Sequence, residues 1–251
     1  MATRVSPPAR KQAAGPSELA AALDAGEPVR LVLYAREPKD AAVPALIERA
    51  SAAGIKVRVA SAQTLWRLGK CTPPPDLIAV IGPDPNATPD EALAHDGAAW
   101  LLTGIAYPGN TGFAIRLAEV SGAACVFVDS SFAHEGKREA LRAAMRADRF
   151  FPVHWEPALE AIARAKRAGR RVLAIEDVGT HAPWETDLTT RLLLVVGGER
   201  HGIPREVLDA CDGALRIPMR GFIPSYNLQA AMAMVAGERL RQLGASDRSG
   251  A

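Results

Sequence analysis

Apolar residues recur along the chain in two alternating rhythms. Short runs such as Arg30-Leu31-Val32-Leu33-Tyr34-Ala35, Lys56-Val57-Arg58-Val59-Ala60 and Leu77-Ile78-Ala79-Val80-Ile81 have the length and the β-branched content of strands. Between them lie helical spacings. One covers 17–27 behind Ser17, and one runs from Ala42 to Ala53 and stops at Gly54. A third holds Leu65, Trp66 and Leu68 behind a Ser61 cap. Strands alternating with helices predict a small α/β layer. Pro83 to Pro89 reads as a linker, and the domain boundary falls near residue 95.

The same rhythm resumes beyond it. A strand is predicted over Ala98–Ile105, then a sharp turn at Pro108–Gly112 into a helix. Ala123–Asp129 is almost wholly apolar, as a strand buried on both faces should be. Lys137 to Arg149 reads as one helix with Arg138, Arg142, Arg146 and Arg149 on a shared face. Val153 starts an edge strand, and a helix covers Pro157–Ala168. Strands follow at Arg171–Glu176 and Leu192–Val196, and a short helix at Pro204. Gly213–Pro218 is the last strand, and the final helix runs from Tyr226 to about Leu243. Short α/β repeats with buried strands argue a parallel sheet sandwiched by helices.

Composition narrows the picture mainly by exclusion. No apolar run approaches the span of a bilayer, so no membrane partner is expected. Cys71, Cys125 and Cys211 form neither a Cys-x-x-Cys metal pattern nor a disulfide framework, so no metal is expected and a reducing cytoplasm suits the chain. A net charge of +2 does not by itself argue for nucleic acid. Residues 1–16 carry Arg4, Arg10 and Lys11 without an acid or an apolar signal core, and read as a disordered basic tail. The domains expected are 17–95 and 96–245, with a short tail at 246–251.

Three stretches carry candidate chemistry. The first is Asn110-x-Gly112-x-x-x-Arg116, in which Gly112 allows a tight turn and the apolar neighbours of Arg116 suggest partial burial against an anionic or polar partner. The second, Gly197-Gly198-Glu199-x-x-Gly202, follows an apolar strand, where α/β sheets bind ligands. The third runs from Ile217-Pro218-Met219 to Ser225-Tyr226-Asn227-Leu228. Here Ser225 is a natural helix cap and Asn227 a loop brace. A helix start of this kind presents free backbone N–H groups to a ligand.

In order and spacing this trio resembles the SpoU (TrmH) family of RNA 2′-O-ribose methyltransferases, of the knotted SPOUT class. The resemblance covers roughly the last 150 residues. It implies a trefoil-knotted parallel-sheet methyltransferase domain, and the element order before it looks like the L30e-like substrate-binding domain of many members. A generic α/β module without an RNA role is the other reading of that first part. The resemblance further implies S-adenosyl-L-methionine as cofactor, RNA as substrate with rRNA favoured over tRNA, and a homodimer.

By the same resemblance Arg116 is the essential catalytic residue, with Asn110, Glu199, Ser225 and Asn227 around it. The cofactor would be held by Val196, Gly197, Glu199, Ile217, Met219, Ser225, Asn227 and Leu228. A guanidinium stays charged in proteins, so Arg116 suits electrostatic stabilisation of a developing alkoxide better than proton abstraction. Arg142, Arg146 and, in the first domain, Arg58, Arg67 and Lys70 are candidate RNA contacts, with solvated surface charge as the plain alternative. Members often have Ser and Gly where this chain has Ala144 and Arg146. They have Leu and Ser where it has Tyr226 and Gln229. A non-catalytic RNA-binding relative is the competing function. A dinucleotide-binding oxidoreductase lacks its Gly-x-Gly-x-x-Gly after the first strand.

Overall fold

The computed structural model describes residues 11–223 and 225–249, with side chains described to residue 244. The chain divides into two compact units, 1–84 and 85–251.

In the first unit, β1 (Lys11–Ala14), α1 (Pro16–Asp24), β2 (Val29–Ala35), α2 (Val43–Ala52), β3 (Lys56–Ala60), α3 (Ala62–Gly69) and β4 (Leu77–Ile81) build a sheet of order β1-β4-β2-β3. β1 and β2 run antiparallel to β4, whereas β2 and β3 are parallel. Ser61 caps α3 by accepting from Thr64 N–H at 3.2 Å. β1 corrects the expectation of a tail through residue 16. Ala13 is buried beside Leu19 and Ile81, and Lys11 pairs with Glu27 at 2.7 Å. Residues 1–10 of the expected tail lie outside the described residues.

The second unit begins before the expected boundary, with α4 (Pro89–Ala94). A capping box starts this helix: Thr88 Oγ1 accepts from Glu91 N–H, and the Glu91 carboxylate accepts from Thr88 N–H at 2.7 Å. Ala92 and Leu93 are fully buried, which binds α4 to this unit. β5 (Ala99–Thr103), α5 (Pro108–Val120), β6 (Cys125–Val128), α6 (His134–Ala143), β7 (Val153–Trp155), α7 (Ala158–Arg167), β8 (Arg171–Ile175), β9 (Leu192–Gly197), α8 (Arg205–Asp209), β10 (Gly213–Leu215) and α9 (Leu228–Ser249) follow. The sheet is wholly parallel, ordered β10-β8-β9-β5-β6-β7.

Strand residues alternate between two cores. Trp100, Leu102, Leu192 and Leu194 pack beneath α5 and α9, while Ala99, Leu101, Leu193 and Val195 pack beneath α4 and α7. The expected α/β class and parallel sheet are therefore present.

Several boundaries differ. Pro108–Gly112 is already helix, because Pro108 occupies the first helical position, where its missing N–H costs nothing. Gly112 therefore makes no turn. A Cβ there would overlap Ala140 and Ala143, so this glycine lets α5 and α6 approach closely. The helix expected over Lys137–Arg149 stops at Ala143. Met145 (φ 53°) and Arg146 (φ 59°) are left-handed, and Arg146 N–H donates to Leu141 O at 2.9 Å in a helix-ending bond. A 3₁₀ turn at Ala147–Arg149 follows, so the four arginines do not share one face. β10 ends at Leu215, and α9 extends beyond Leu243 through Ser249, where a tail was expected.

Candidate active site at the carboxyl edge of the sheet

β5 and β9 lie side by side, and Thr103 at the end of one is level with Gly197 at the end of the other. From β5 the chain fills the sheet outward through β6 and β7, and then crosses to build β8, β9 and β10 on the opposite side. The strand order thus reverses between β5 and β9. Such a switch point opens a crevice beyond the carboxyl ends of the strands.

The glycine-rich loop after β9 folds tightly onto itself. Gly202 N–H donates to Gly198 O at 3.1 Å, and a Cβ on Gly197 would overlap the Gly202 and Ile203 backbone. Gly198 lies equally close to Gly104, beyond β5. Gly202 supplies the positive φ (63°) that closes the loop, and Glu176, just past β8, accepts from Ile203 N–H at 3.2 Å.

This rigid loop aims Glu199 at the start of α5. One carboxylate oxygen accepts from Asn110 Nδ2 at 2.6 Å and the other from Ala106 N–H at 3.4 Å. Asn110 is engaged from its other side as well, because Gln229 Nε2 donates to its Oδ1 at 3.1 Å and to its backbone oxygen at 3.4 Å. Gln229 N–H in turn donates to Asn227 Oδ1 at 2.9 Å, and Ala231 N–H donates to Asn227 O. One residue from each motif region therefore joins a continuous chain: Glu199, Asn110, Gln229 and Asn227. Beside it Arg200 lies over the Tyr107 ring, 5.5 Å from its centroid. Its hydrogen bond to Tyr107 Oη at 3.3 Å raises the guanidinium pKa further above its ordinary value.

Val196, Ile217 and Leu228 are buried in the core beneath this edge, so only their backbone can face a ligand. Met219 is half-buried, and Tyr226 Oη braces the loop by donating to Pro218 O at 3.2 Å. Phe222 and Ile223 project fully into solvent, and Pro224 lies outside the described residues. Among the described residues, the N–H groups of Met219, Arg220, Gly221, Phe222 and Ile223 have no backbone partner.

Asn227, not Ser225, caps α9, because the helix begins at Leu228. Ser225 is exposed, and its Oγ donates only to the adjacent Tyr226 O, at 3.4 Å.

Arg116 stands apart from this cluster. It is six residues beyond Asn110 on α5, which rotates it about 240° around the helix. It is exposed rather than partly buried, and its guanidinium meets the Met145 thioether instead of an anion. Phe113 and Val120, both exposed, share its stripe. Arg142 is exposed on α6. Arg146 is paired with Asp148 through two hydrogen bonds of 3.0 and 2.9 Å, so its charge is already engaged. Arg58 is exposed on β3 of the first unit.

Gln229 enters the sequence reading only as a departure from the family's usual residue two places after Asn227, and is given no site role there. No helix is long and apolar enough to cross a membrane, and no His/Cys/Asp/Glu group able to hold a metal occurs, both among the described residues.

Residues 99–237, which contain every element of this site, match the model of the SpoU rRNA Methylase family. The chain belongs to that family. A curated relative, the 23S rRNA (guanosine-2′-O-)-methyltransferase RlmB of a Burkholderia species, is 29% identical over 222 residues, covering 85% of this chain and 89% of the relative. Among solved structures, the AdoMet-bound rRNA methyltransferase from Sinorhizobium meliloti superposes with a TM-score of 0.57 at 22% identity, over 93% of this chain and 88% of that one. The SpoU methyltransferase AviRb from Streptomyces viridochromogenes, in complex with AdoMet, gives 0.55 at 24% identity over 93% and 90%. Both share the α/β fold with its parallel sheet flanked by helices.

Proposed function

We propose that this chain is an S-adenosylmethionine-dependent RNA 2′-O-ribose methyltransferase acting on rRNA. The observation that carries the reading is the 2.6 Å bond between Asn110 and Glu199, extended through Gln229 to Asn227, which unites three motif regions of the family at the switch point of the sheet. Family membership and a relative named for 23S rRNA 2′-O-methylation support the substrate class. The joined constellation favours an enzyme over a non-catalytic RNA-binding relative.

The residues present fit the cofactor. The unpartnered N–H groups of 219–223 and the exposed backbone after β9 offer polar contacts, while Gly197 and Gly198 let that loop pack against the Gly202 and Gly104 backbone. Gly197, Met219 and the backbone of Val196, Ile217 and Leu228 would hold it, with Asn227 shaping the loop. When bound, S-adenosylmethionine supplies a methyl group activated on a sulfonium, for which the ribose 2′-hydroxyl is the acceptor.

Glu199 is a positioning group, since both of its oxygens already accept from the chain's own donors. Arg116 stabilises the alkoxide developing at the 2′-oxygen and grips the neighbouring phosphate. A homodimer accounts for its separation from the Asn110 cluster. Phe113 and Val120 on α5, with Met234 and Leu240 on α9, are exposed apolar positions, and burying them against a second copy would carry Arg116 toward the partner's site. The trefoil knot, an L30e-like role for the first unit and a cytoplasmic location complete this reading.

The test is calorimetric binding of S-adenosylmethionine by the wild type and by Asn227→Ser, which keeps a helix cap but loses the amide. Tritiated methyl transfer to total rRNA and total tRNA follows. Binding that weakens in the variant, with label in rRNA, supports the proposal. No cofactor binding by the wild type would sink it.

A further inference from the structure

The first unit carries a surface that none of the three motifs uses. From Arg49 to Pro75 the chain contains no Asp or Glu, yet it holds Arg49, Lys56, Arg58, Arg67 and Lys70. Arg49 is paired with Asp24, and Lys70 lies over the Trp66 ring, 5.6 Å from its centroid. Lys56, Arg58 and Arg67 have no ion-pair partner among the described residues.

Sheet register brings Lys56 and Arg58 to one side. Ile78 is opposite Leu33, and Leu33 is opposite Arg58, so the three form a row across one face of the sheet. Lys56, two residues earlier on the same strand, lies on the same face beside Leu31. α3 packs on that face, since a Cβ at Gly69 would touch Ile78 at 3.3 Å. The row therefore runs from beneath α3 outward to β3, the last strand of the sheet. α3 itself exposes Trp66 (48%) and Arg67.

Trp66 leaves about half of its surface in water, while Leu65 is the residue of α3 that is fully buried. An exposed aromatic surface on a helix that packs on the same sheet face as unpaired cations is what an unpaired nucleotide requires: a π-face for the base and positive charge for the flanking phosphates. We infer that Trp66, with Arg58, Arg67, Lys56 and Lys70, forms a docking surface for single-stranded RNA on which a base stacks. This rests on the RNA-methyltransferase reading and names the part of the substrate, an unpaired segment, that the first unit would hold.

The experiment measures binding of oligouridine and of a fully paired RNA duplex to the full chain, for the wild type, Trp66→Ala, Trp66→Phe and Arg58→Ala/Arg67→Ala, with S-adenosylmethionine calorimetry on each. Trp66→Ala should weaken oligouridine binding by roughly 5- to 100-fold. Trp66→Phe should retain most of it, and duplex binding should change little. The double arginine variant should reduce the salt dependence of oligouridine binding by about 0.7 in log–log slope for each phosphate that no longer meets a cation. Wild-type affinity in both alanine variants, or no oligouridine binding by a wild type that still binds cofactor, overturns the docking surface and leaves the methyltransferase reading standing. Absence of cofactor binding in the wild type itself is the failure of that underlying reading.

Discussion

The amino edge of the parallel sheet and the outer face of α5 use arginine in opposite ways. At the amino edge, Arg170 is 3% exposed and donates to four backbone carbonyls, those of Leu93, His95, Gly97 and Leu192. Among the described residues it has no carboxylate in an ion pair with it, and burial pulls its pKa down to about 10. It ties α4 to the starts of β5 and β9. On the outer face of α5, Arg116 is exposed and meets the Met145 thioether, and at the carboxyl edge the N–H groups of 219–223 have no backbone partner among the described residues. Polar groups that are buried and satisfied hold the fold, whereas polar groups left open are available to a ligand.

The sharpest way to break this contrast is Arg170→Met. The methionine fills similar space but removes the Arg170 donor from four carbonyls, of which Leu93 O still accepts from Arg191 at 2.7 Å. A loss of about 3–5 kcal/mol is expected by urea denaturation. A loss below about 1 kcal/mol would show that the amino edge is not held in this way. On α5, Arg116→Ala should lower methyl transfer by about 10²- to 10³-fold while stability changes by no more than about 0.5 kcal/mol. Arg116→Lys should recover little activity if the planar fork matters. A large stability loss with activity per folded molecule intact would reverse the assignment.

The Asn110–Glu199 bond sharpens the comparison within the carboxyl edge. Single substitutions Asn110→Ala and Glu199→Ala should each reduce turnover, and the double variant should be little worse than either, because the two residues form one connected unit. Full additivity in that cycle would mean that they act separately.

A pH experiment probes the flank of the sheet. His154 on β7 has a depressed pKa, from burial first and from the Arg164 charge second, and its Nε2 is buried without a partner. The unfolded chain therefore binds the proton more readily than the fold does. The contribution of neutral His154 is present above the ordinary value of 6.5 and is lost as pH falls through 6.5 toward the depressed value. Glu156 acts in the opposite sense, since burial raises its pKa and its charging opposes folding as pH rises above 4.5. His154→Gln should flatten the decline of Tm between about pH 7 and about pH 5. An unchanged profile would place that decline elsewhere.

Much of this architecture is legible from apolar patterning, because buried parallel strands such as β6 and β9 leave no polar position to blur them. What escapes is built from residues with no distinctive pattern. β1 is Lys-Gln-Ala-Ala, without a β-branched residue, and exists because β4 offers it an edge. Ile115, Leu117 and Ala118 surround Arg116 in sequence and suggest burial for it. On a helix those neighbours point elsewhere, and two of them, Ile115 and Ala118, are buried away from it. Asn110, Glu199 and Asn227 are found through spacing, but the link through Gln229 is not. A bond across 119 positions leaves no local trace.

The smallest predicted effect concerns the end of α6. Arg146 sits at φ 59°, a conformation that costs an L-residue about 1–2 kcal/mol and glycine almost nothing. Neither glycine nor asparagine marks this stop in the sequence, so the helical pattern runs on to Arg149. The two bonds from Arg146 to Asp148 compensate partly, but that pair is half-exposed and contributes little. Arg146→Gly relieves the backbone while adding freedom to the unfolded chain, which takes back about 0.4–1 kcal/mol. A net gain of up to about 1 kcal/mol in urea denaturation is therefore expected, with methyl transfer altered less than by Arg116→Ala. If the variant is instead destabilised, the Asp148 bonds outweigh the backbone cost. This arginine would then belong with Arg170 among those that hold the fold.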